Sequence, residues 1–129
     1  MTDDARRAAL ESLGSALARL GNALSQPKTE WTRDAAIQRF EFSFELAWRA
    51  MARCARDEGI DVASPRQAVR AAFKLGWIED DASWLSMLDD RNRTSHTYKE
   101  KTAEEIYGRL ARHHAALSGL HRRLRGLTT

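Results

Sequence analysis

The sequence has little of what a cross-linked or β-rich protein needs. It contains one cysteine, Cys54, so no disulfide can form within the chain, and no Cys/His grouping has zinc-ligand spacing. It has only two prolines and seven glycines, and almost no alternation of β-branched residues. Packing of helices must therefore hold the fold, and we predict neither a metal site nor a cofactor.

Long apolar runs are also absent. No segment approaches the roughly 18 apolar residues of a membrane span, and the start, MTDDARRAAL, lacks the apolar region of a signal peptide. We therefore expect a cytoplasmic protein without membrane contact. Its 129 residues, 43% hydrophobic and 30% charged, are enough for one core and too few for two, so we predict a single domain over residues 1–129.

Acidic residues are missing from the C-terminal part of the chain. From Arg109 onward there are arginines but no Asp or Glu, although the net charge of the whole chain is only +3. Such a tail can contact phosphate groups. A helix dipole also favours basic residues at a helix C-terminus, so the pattern has a structural interpretation as well.

The hydrophobic residues recur with the 3.6-residue period of α-helices. The first helix is marked by five leucines: Leu10, Leu13, Leu17, Leu20 and Leu24. The second is predicted over about residues 32–59, the third from residue 65 to 76, the fourth from residue 80 or 81, and the fifth from residue 102. We predict an all-α protein, an up-and-down bundle of four to five helices.

Local signals define several of the predicted helix ends. Gly59 can adopt the left-handed conformation that closes the second helix, and Gly76 ends the third helix. Ser64 can cap the third helix, with Gln67 reaching back to complete a capping box. The sequence TAEE, Thr102 to Glu105, predicts a second capping box at the start of the last helix.

The segment DRNRTSHTY, residues 90–98, carries polar residues where the helical pattern predicts a core face. At 100° per residue, Arg91, Asn92 and Ser95 share a sector with preceding apolar residues, with His96 and Tyr98 at its flanks. An inward arginine must find a carboxylate, a phosphate or water. This face is therefore predicted to be either an internal ion pair or a site.

Glu41 is the predicted carboxylate partner. It lies within the apolar stripe of the second helix, made by Ile37, Phe40, Phe44, Trp48 and Met51, so we expect it to face inward. One interpretation is an internal Glu41–Arg91 ion pair, with Phe42 and Leu46 on the opposite face covered by other helices. The other is that Phe42 and Leu46 contact a second subunit and that Arg91 lines a cleft between the subunits.

The histidines can also be explained by structural roles without catalysis. A histidine near a helix end is more often a hydrogen-bonded structural residue than a catalyst, and this applies to His96. His114 and His121, on the stripe of the last helix, are expected to be structural. Asp89 and Asp90 are poor metal ligands together, because adjacent helical carboxylates point about 100° apart.

The motif RNRTSHTY has the form R-x4-H followed by x-Y, and it resembles the HEPN superfamily, specifically the HepT-like proteins also called nucleotidyltransferase substrate-binding proteins. The resemblance extends to IQRFEFSFELAWRAM, SPRQAVRAAFKLGWIED and WLSMLDDRNRTSHTYKEKTAEEIY, and covers about residues 30–110. It implies a helical homodimer in which the R-x4-H residues of both chains face one another across a cleft.

The resemblance implies that the chain is the toxin of a toxin–antitoxin pair, a metal-independent endoribonuclease acting on RNA. Its implied partner and antitoxin is a minimal nucleotidyltransferase, which adds AMP to the tyrosine of H-x-Y, Tyr98 in this sequence. The older family name implies the alternative, a non-catalytic substrate-binding subunit of a two-protein nucleotidyltransferase.

The residue types fit ribonuclease chemistry. His96 can act as general base or acid near neutral pH, and Arg91 can hold the phosphate charge. Asn92 is placed to orient the imidazole or to bind a phosphate oxygen, and Glu41 to support Arg91. AMP on Tyr98 would then block the cleft and compete for Arg91.

Overall fold

The computed structural model describes residues 2–127, with side chains from residue 4 onward; residues 1, 128 and 129 of the predicted domain lie outside the described residues. Its elements are α1 (Thr2–Leu24), α2 (Glu30–Asp57), α3 (Pro65–Lys74), α4 (Asp81–Arg93), a 3-10 helix (Thr94–His96) and α5 (Glu100–Gly126). No strand occurs within residues 2–127, so the predicted all-α class is confirmed. None of the helices in this range is long and apolar enough to cross a membrane.

The three longest helices, α1, α2 and α5, pack against one another, and α3 and α4 pack on α2. Helices α2 and α5 run in the same direction, because Arg33 near the start of α2 binds Glu104 near the start of α5, and Phe40 stacks on His113 further along. The short helices α3 and α4 return the chain between them. The loop between α4 and α5 is thereby brought next to α2.

The predicted hydrophobic stripes form the core. Of the leucines predicted for α1 only Leu24 is half-buried, and in the α2 stripe only Trp48 is half-buried. The large side chains with almost no exposure come from all three long helices and include Leu13, Leu20, Phe40, Phe44, Met51, Ile106, Leu110, Leu117 and Leu120. Burying one such side chain contributes about 1.5–3 kcal/mol, so this core replaces the cross-links that the sequence lacks.

Most of the predicted helix ends are confirmed. Gly59 and Gly76 have φ values of 82° and 79°, in the left-handed region. Ser64 Oγ accepts a hydrogen bond from the Gln67 backbone N–H at 3.2 Å. The Gln67 side chain reaches one residue further back than predicted and accepts from the Ala63 N–H at 2.8 Å. These ends depend only on adjacent residues, so local sequence was sufficient to place them.

The predicted start of the last helix is wrong. Helix α5 begins at Glu100, and Thr102 and Glu105 lie inside its first two turns without forming a capping box. The Glu105 carboxylate instead binds Arg93 at 2.7 Å, and Glu100 binds the buried Arg33 of α2. Ion pairs with other elements therefore accompany the start of α5. The sequence around residue 100 cannot predict them, because their partners Arg33 and Arg93 lie in other helices.

The expected structural role of two histidines is supported by their contacts. His114 Nε2 lies 3.0 Å from the carbonyl oxygen of Leu17, and His121 Nε2 lies 2.9 Å from that of Leu10. The residue four positions after each leucine is a glycine, and a Cβ there would come within 3.2 or 3.1 Å of the imidazole. Helices α1 and α5 are thus antiparallel and linked at two levels one heptad apart.

Two glycine substitutions should have opposite effects on stability. A Cβ at Gly76 or at Gly108 meets no atom within 4 Å, but only Gly76 has a positive φ. We expect Gly76→Ala to lower the free energy of unfolding by about 1 kcal/mol, because alanine is strained in the left-handed region. Gly108→Ala, inside α5, should raise it by roughly 0.5–1 kcal/mol. Urea unfolding of both variants checks this. A Gly76→Ala protein as stable as the wild type would contradict the left-handed backbone at Gly76.

Candidate functional site

The motif R-x4-H-x-Y lies where α4 ends. The α-helix stops at Arg93 and the chain tightens into the 3-10 helix at Thr94–His96. Hydroxyl groups hold this turn: Thr94 Oγ1 donates to the Arg91 carbonyl at 2.7 Å, and Thr97 Oγ1 donates to the Thr94 carbonyl at 3.1 Å. Such short side chains compete with helical hydrogen bonding, which explains why the helix does not continue through the motif.

The change of helix type corrects part of the predicted face. Arg91 is half-buried as expected, but Asn92, Ser95 and His96 are exposed. The 3-10 helix has three residues per turn and rotates Ser95 and His96 outward. Asn92 is still within α4, one turn after the exposed Asp89 and on the same side of the helix. The site is therefore an exposed turn next to one half-buried arginine.

Arg91 is held by a carboxylate of α2. Its Nη2 atom lies 2.5 Å from Oε1 of Glu45, and its Nη1 atom donates to Asn92 Oδ1 at 3.3 Å. The predicted partner, Glu41, is exposed, so the expectation that it faces inward beside Arg91 is wrong. Glu41 and Glu45 are one turn apart and share a helix face, and the height at which α4 crosses α2 decides between them.

Glu45 serves two arginines at once. Its second oxygen, Oε2, accepts from Arg49 Nε at 3.0 Å, so each carboxylate oxygen contacts a different guanidinium. Burial of Glu45 acts to raise its pKa, but Trp48 and Arg91 outweigh this effect and hold the pKa below its usual value. Glu45 is therefore a carboxylate at neutral pH, and Arg91 has a permanent anionic neighbour.

His96 and Tyr98 lie together on the surface. Their rings contact edge to face, with centroids 6.0 Å apart, and Tyr98 is 77% exposed. Lys99 Nζ lies 6.0 Å from the Tyr98 ring centroid. The imidazole and the phenol oxygen are thus open to a ligand or to another protein.

A buried ionic cluster lies directly behind the motif, and it was not predicted from the sequence. Asp90, 3% exposed, accepts two hydrogen bonds from Arg109, both at 2.8 Å, and lies 2.7 Å from Nε2 of His113, which is also 3% exposed. A signal was present, because position 113 continues the spacing of the buried residues Ile106 and Leu110. The pairing of Asp90 with Arg109 and His113 joins two helices, so it leaves no signal in the sequence around Asp90 itself.

Hydrogen bonding governs the charge of Asp90. Burial acts to raise its pKa, but the hydrogen bonds from His113 and Arg109 hold the pKa at about 2, below the ordinary 3.8. Within the described residues, no three His, Cys, Asp or Glu side chains cluster in a way that could hold a metal ion. Asp90 therefore acts in this structure as an anchor that joins the end of α4 to α5.

The fold and site define an all-helical bundle that presents an arginine, an imidazole and a tyrosine at the turn between its last two helices. The chain matches the family described as nucleotidyltransferase substrate binding protein like over residues 8–126. The chain belongs to this family, and the resemblance to HepT-like proteins is confirmed.

Individual relatives agree with this assignment. A Haemophilus influenzae protein named "Probable ribonuclease HepT" is 35% identical over 80 residues, which are 58% of this chain and 55% of that protein. The chain thus matches about half the length of that relative.

Solved structures extend the similarity to nearly the whole chain. A crystal structure of a Thermus thermophilus protein aligns with a TM-score of 0.84 and 38% identity, over 88% of this chain and 98% of that one. A second structure, from Haemophilus influenzae and said to reveal the fold of a substrate binding domain of a nucleotidyltransferase, has a TM-score of 0.70 and 28% identity, over 95% and 98% of the two chains.

Asp90→Asn should destabilise the protein in a pH-dependent way. A carboxyl group whose pKa falls from 3.8 to about 2 on folding stabilises the fold above pH 3.8 and loses this effect as pH falls through 2. The shift corresponds to about 2 kcal/mol. We expect the thermal midpoint of Asp90→Asn to lie well below that of the wild type at pH 7, with the gap narrowing between pH 4 and 2.

The exposed neighbour Asp89 offers the control, because Asp89→Asn makes the same chemical change outside the cluster. Calorimetry across pH should show little difference between that variant and the wild type. Equal losses in the two variants would contradict the assigned role of Asp90.

Proposed function

We propose that the chain is the toxin of a toxin–antitoxin pair, a metal-independent endoribonuclease whose site contains Arg91 and His96. The observation that carries the proposal is the geometry at the end of α4, where a half-buried guanidinium is followed within five residues by an exposed imidazole. Membership of the family and the relative named as a ribonuclease support it. The proposed place of action is the cytoplasm, where RNA is available.

The proposed reaction uses the nucleophile that RNA carries. His96 takes the proton of a ribose 2′-hydroxyl, whose oxygen attacks the adjacent phosphorus. The bond from phosphorus to the 5′ oxygen breaks, and a second imidazole gives that oxygen its proton. The products are a 2′,3′-cyclic phosphate and a 5′-hydroxyl end. Arg91 binds the non-bridging oxygens, on which negative charge develops, and Asn92 orients Arg91 through its amide oxygen.

The second imidazole is proposed to come from a homodimer. Phe42 and Leu46 of α2 are only half-buried and line an open groove of about 540 Å³ beside α1. Their remaining apolar surface suits contact with a second copy of the chain. Two copies related by a twofold axis would bring two Arg91–His96 pairs to one cleft.

Regulation is proposed to act through Tyr98. A minimal nucleotidyltransferase partner, the antitoxin, would transfer AMP from ATP to the phenol oxygen, releasing pyrophosphate and the phenol proton. The 77% exposure of Tyr98 supports access of such a partner. The added phosphate brings about one negative charge beside His96, where it repels RNA and competes for Arg91.

One observation favours a second candidate, a non-catalytic substrate-binding subunit of a two-protein nucleotidyltransferase. Arg91 already has a carboxylate partner, Glu45, and so has a structural explanation without RNA. The relative whose fold is described as that of a substrate binding domain is consistent with this alternative.

Arg91→Ala and His96→Ala separate the two candidates. We expect each to reduce RNA cleavage in EDTA by roughly 10²–10⁴-fold, because each removes a group that acts on the phosphate or its protons. The thermal midpoint should hardly change, since Glu45 keeps Arg49 when Arg91 is removed and partly exposed ion pairs contribute about 1 kcal/mol or less. Gel analysis of labelled RNA measures the cleavage.

The matched control is Arg66→Ala, which removes an exposed arginine of α3 and should leave cleavage unchanged. Light scattering on the same samples gives the oligomeric state. A wild type without ribonuclease activity, combined with a large loss of stability in Arg91→Ala, would favour the non-catalytic candidate. A monomer at micromolar concentration would contradict the shared cleft.

Tyr98→Phe should abolish adenylylation and preserve cleavage, because it removes only the acceptor oxygen. The control is Tyr107→Phe, which makes the same change on a half-buried ring of α5. Intact mass after incubation with the partner, Mg²⁺ and ATP measures the reaction. We expect one AMP for each wild-type and Tyr107→Phe chain and none for Tyr98→Phe. Wild type that gains this mass and still cuts RNA would contradict the regulatory role.

A further inference from the structure

A basic groove runs along α2 beyond the site. It is open, with a volume of about 280 Å³, and is lined by Trp48, Arg49, Ala52, Arg53, Arg56 and Val62. These side chains come from the last turns of α2 and from the segment that leads to α3. The lining thus combines three guanidinium groups with one indole ring and contains no carboxylate.

Two of the arginines have no anionic partner among the described residues. Arg53 is half-buried, and its Nε atom is buried without a hydrogen-bond acceptor in this part of the chain; Arg56 is exposed. The acid next in sequence, Asp57, pairs with Arg6 at 2.9 Å and not with Arg56. The groove therefore has unneutralised positive charge suited to phosphate groups.

Trp48 supplies a flat aromatic surface in the same groove. The Arg49 guanidinium lies over its ring, 5.3 Å from the centroid, and the Arg49 side chain is 64% exposed. Aromatic rings and arginine planes beside basic side chains are the features with which proteins bind unpaired bases. The combination fits a single-stranded nucleic acid better than an isolated phosphate ion.

The groove adjoins the candidate site at Arg49. Glu45 contacts Arg91 on one side and Arg49 on the other, so one carboxylate joins the two regions. At about 1.5 Å per residue, Arg56 lies roughly 16 Å from Glu45 along the axis of α2, enough for a few nucleotides.

We propose that this groove binds the single-stranded RNA that leads into the Arg91–His96 site, with phosphates on Arg53 and Arg56 and a base stacked on the Arg49–Trp48 pair. The inference rests on the proposed function and adds the path of the substrate. A second copy of the chain is the less suitable occupant, because a twofold contact would place these arginines against the same arginines.

The test measures RNA binding without cleavage. In a His96→Ala background, fluorescence anisotropy follows a labelled single-stranded oligoribonucleotide of about 12 nucleotides over a range of salt concentrations. Arg53→Gln/Arg56→Gln should weaken binding at least tenfold and reduce the slope of log K against log salt by about 1.4, since each lost contact to a single strand contributes about 0.7. Trp48→Leu should weaken binding about tenfold with the slope unchanged.

The matched control is Arg122→Gln/Arg123→Gln, which removes the same charge from exposed positions near the end of α5. It should leave affinity and slope close to those of the parent. Equal weakening by both pairs, or unchanged binding by the groove variant, would overturn the inference. So would a groove variant with normal RNA binding but altered mass in light scattering, which would show contact with a second copy.

Cleavage by the otherwise wild-type protein is measured separately. Normal cleavage, together with RNA binding that does not depend on Arg53 and Arg56, would reject the groove as the binding site. The proposed ribonuclease function would be unaffected by that result. Binding that depends on the groove in a protein that never cuts RNA would reject the ribonuclease alone.

Discussion

The interaction between Asp90 and α5 fixes the end of α4, and the site depends on that end. One buried carboxylate is held by Arg109 through two hydrogen bonds and by His113 through a third, and the Phe40 ring stacks on the His113 imidazole. A buried carboxylate without such partners would be strongly destabilising, so Asp90 keeps the end of α4 next to Arg109 and His113. Arg91 is the next residue in the chain, so its position follows from that of Asp90.

The sequence was sufficient wherever structure depends on neighbouring residues. The stripes of α1 and α2, the cap at Ser64 and the left-handed glycines all follow from side-chain period or backbone conformation, and all are confirmed. It was insufficient where two distant elements meet. The start of α5 is set by Arg33 of α2 and not by a capping box, because ion pairs between helices leave no periodic signal.

The site shows the same division. Helical periodicity gives the direction of a side chain around the helix axis, and it correctly predicted that Arg91 faces inward. It does not give the position along the axis at which another helix packs. The predicted partner of Arg91 was therefore Glu41, whereas Glu45, one turn later, makes the contact. It also assumed one helix type to residue 95. The hydroxyls of Thr94 and Thr97 bond back to the main chain, and the resulting 3-10 turn exposes His96.

The sharing of Glu45 bears on whether Arg91 can act on a substrate. A guanidinium that leaves a half-buried carboxylate normally leaves an unpaired charge behind, which opposes the exchange. Here the other oxygen of Glu45 is bound by Arg49, so the carboxylate keeps a cationic partner when Arg91 turns toward a phosphate. The exchange then replaces one charge-assisted hydrogen bond with another. The ion pair therefore positions Arg91 in the free protein but still allows it to bind a phosphate. The structural contact with Glu45 is thus compatible with the proposed role toward RNA.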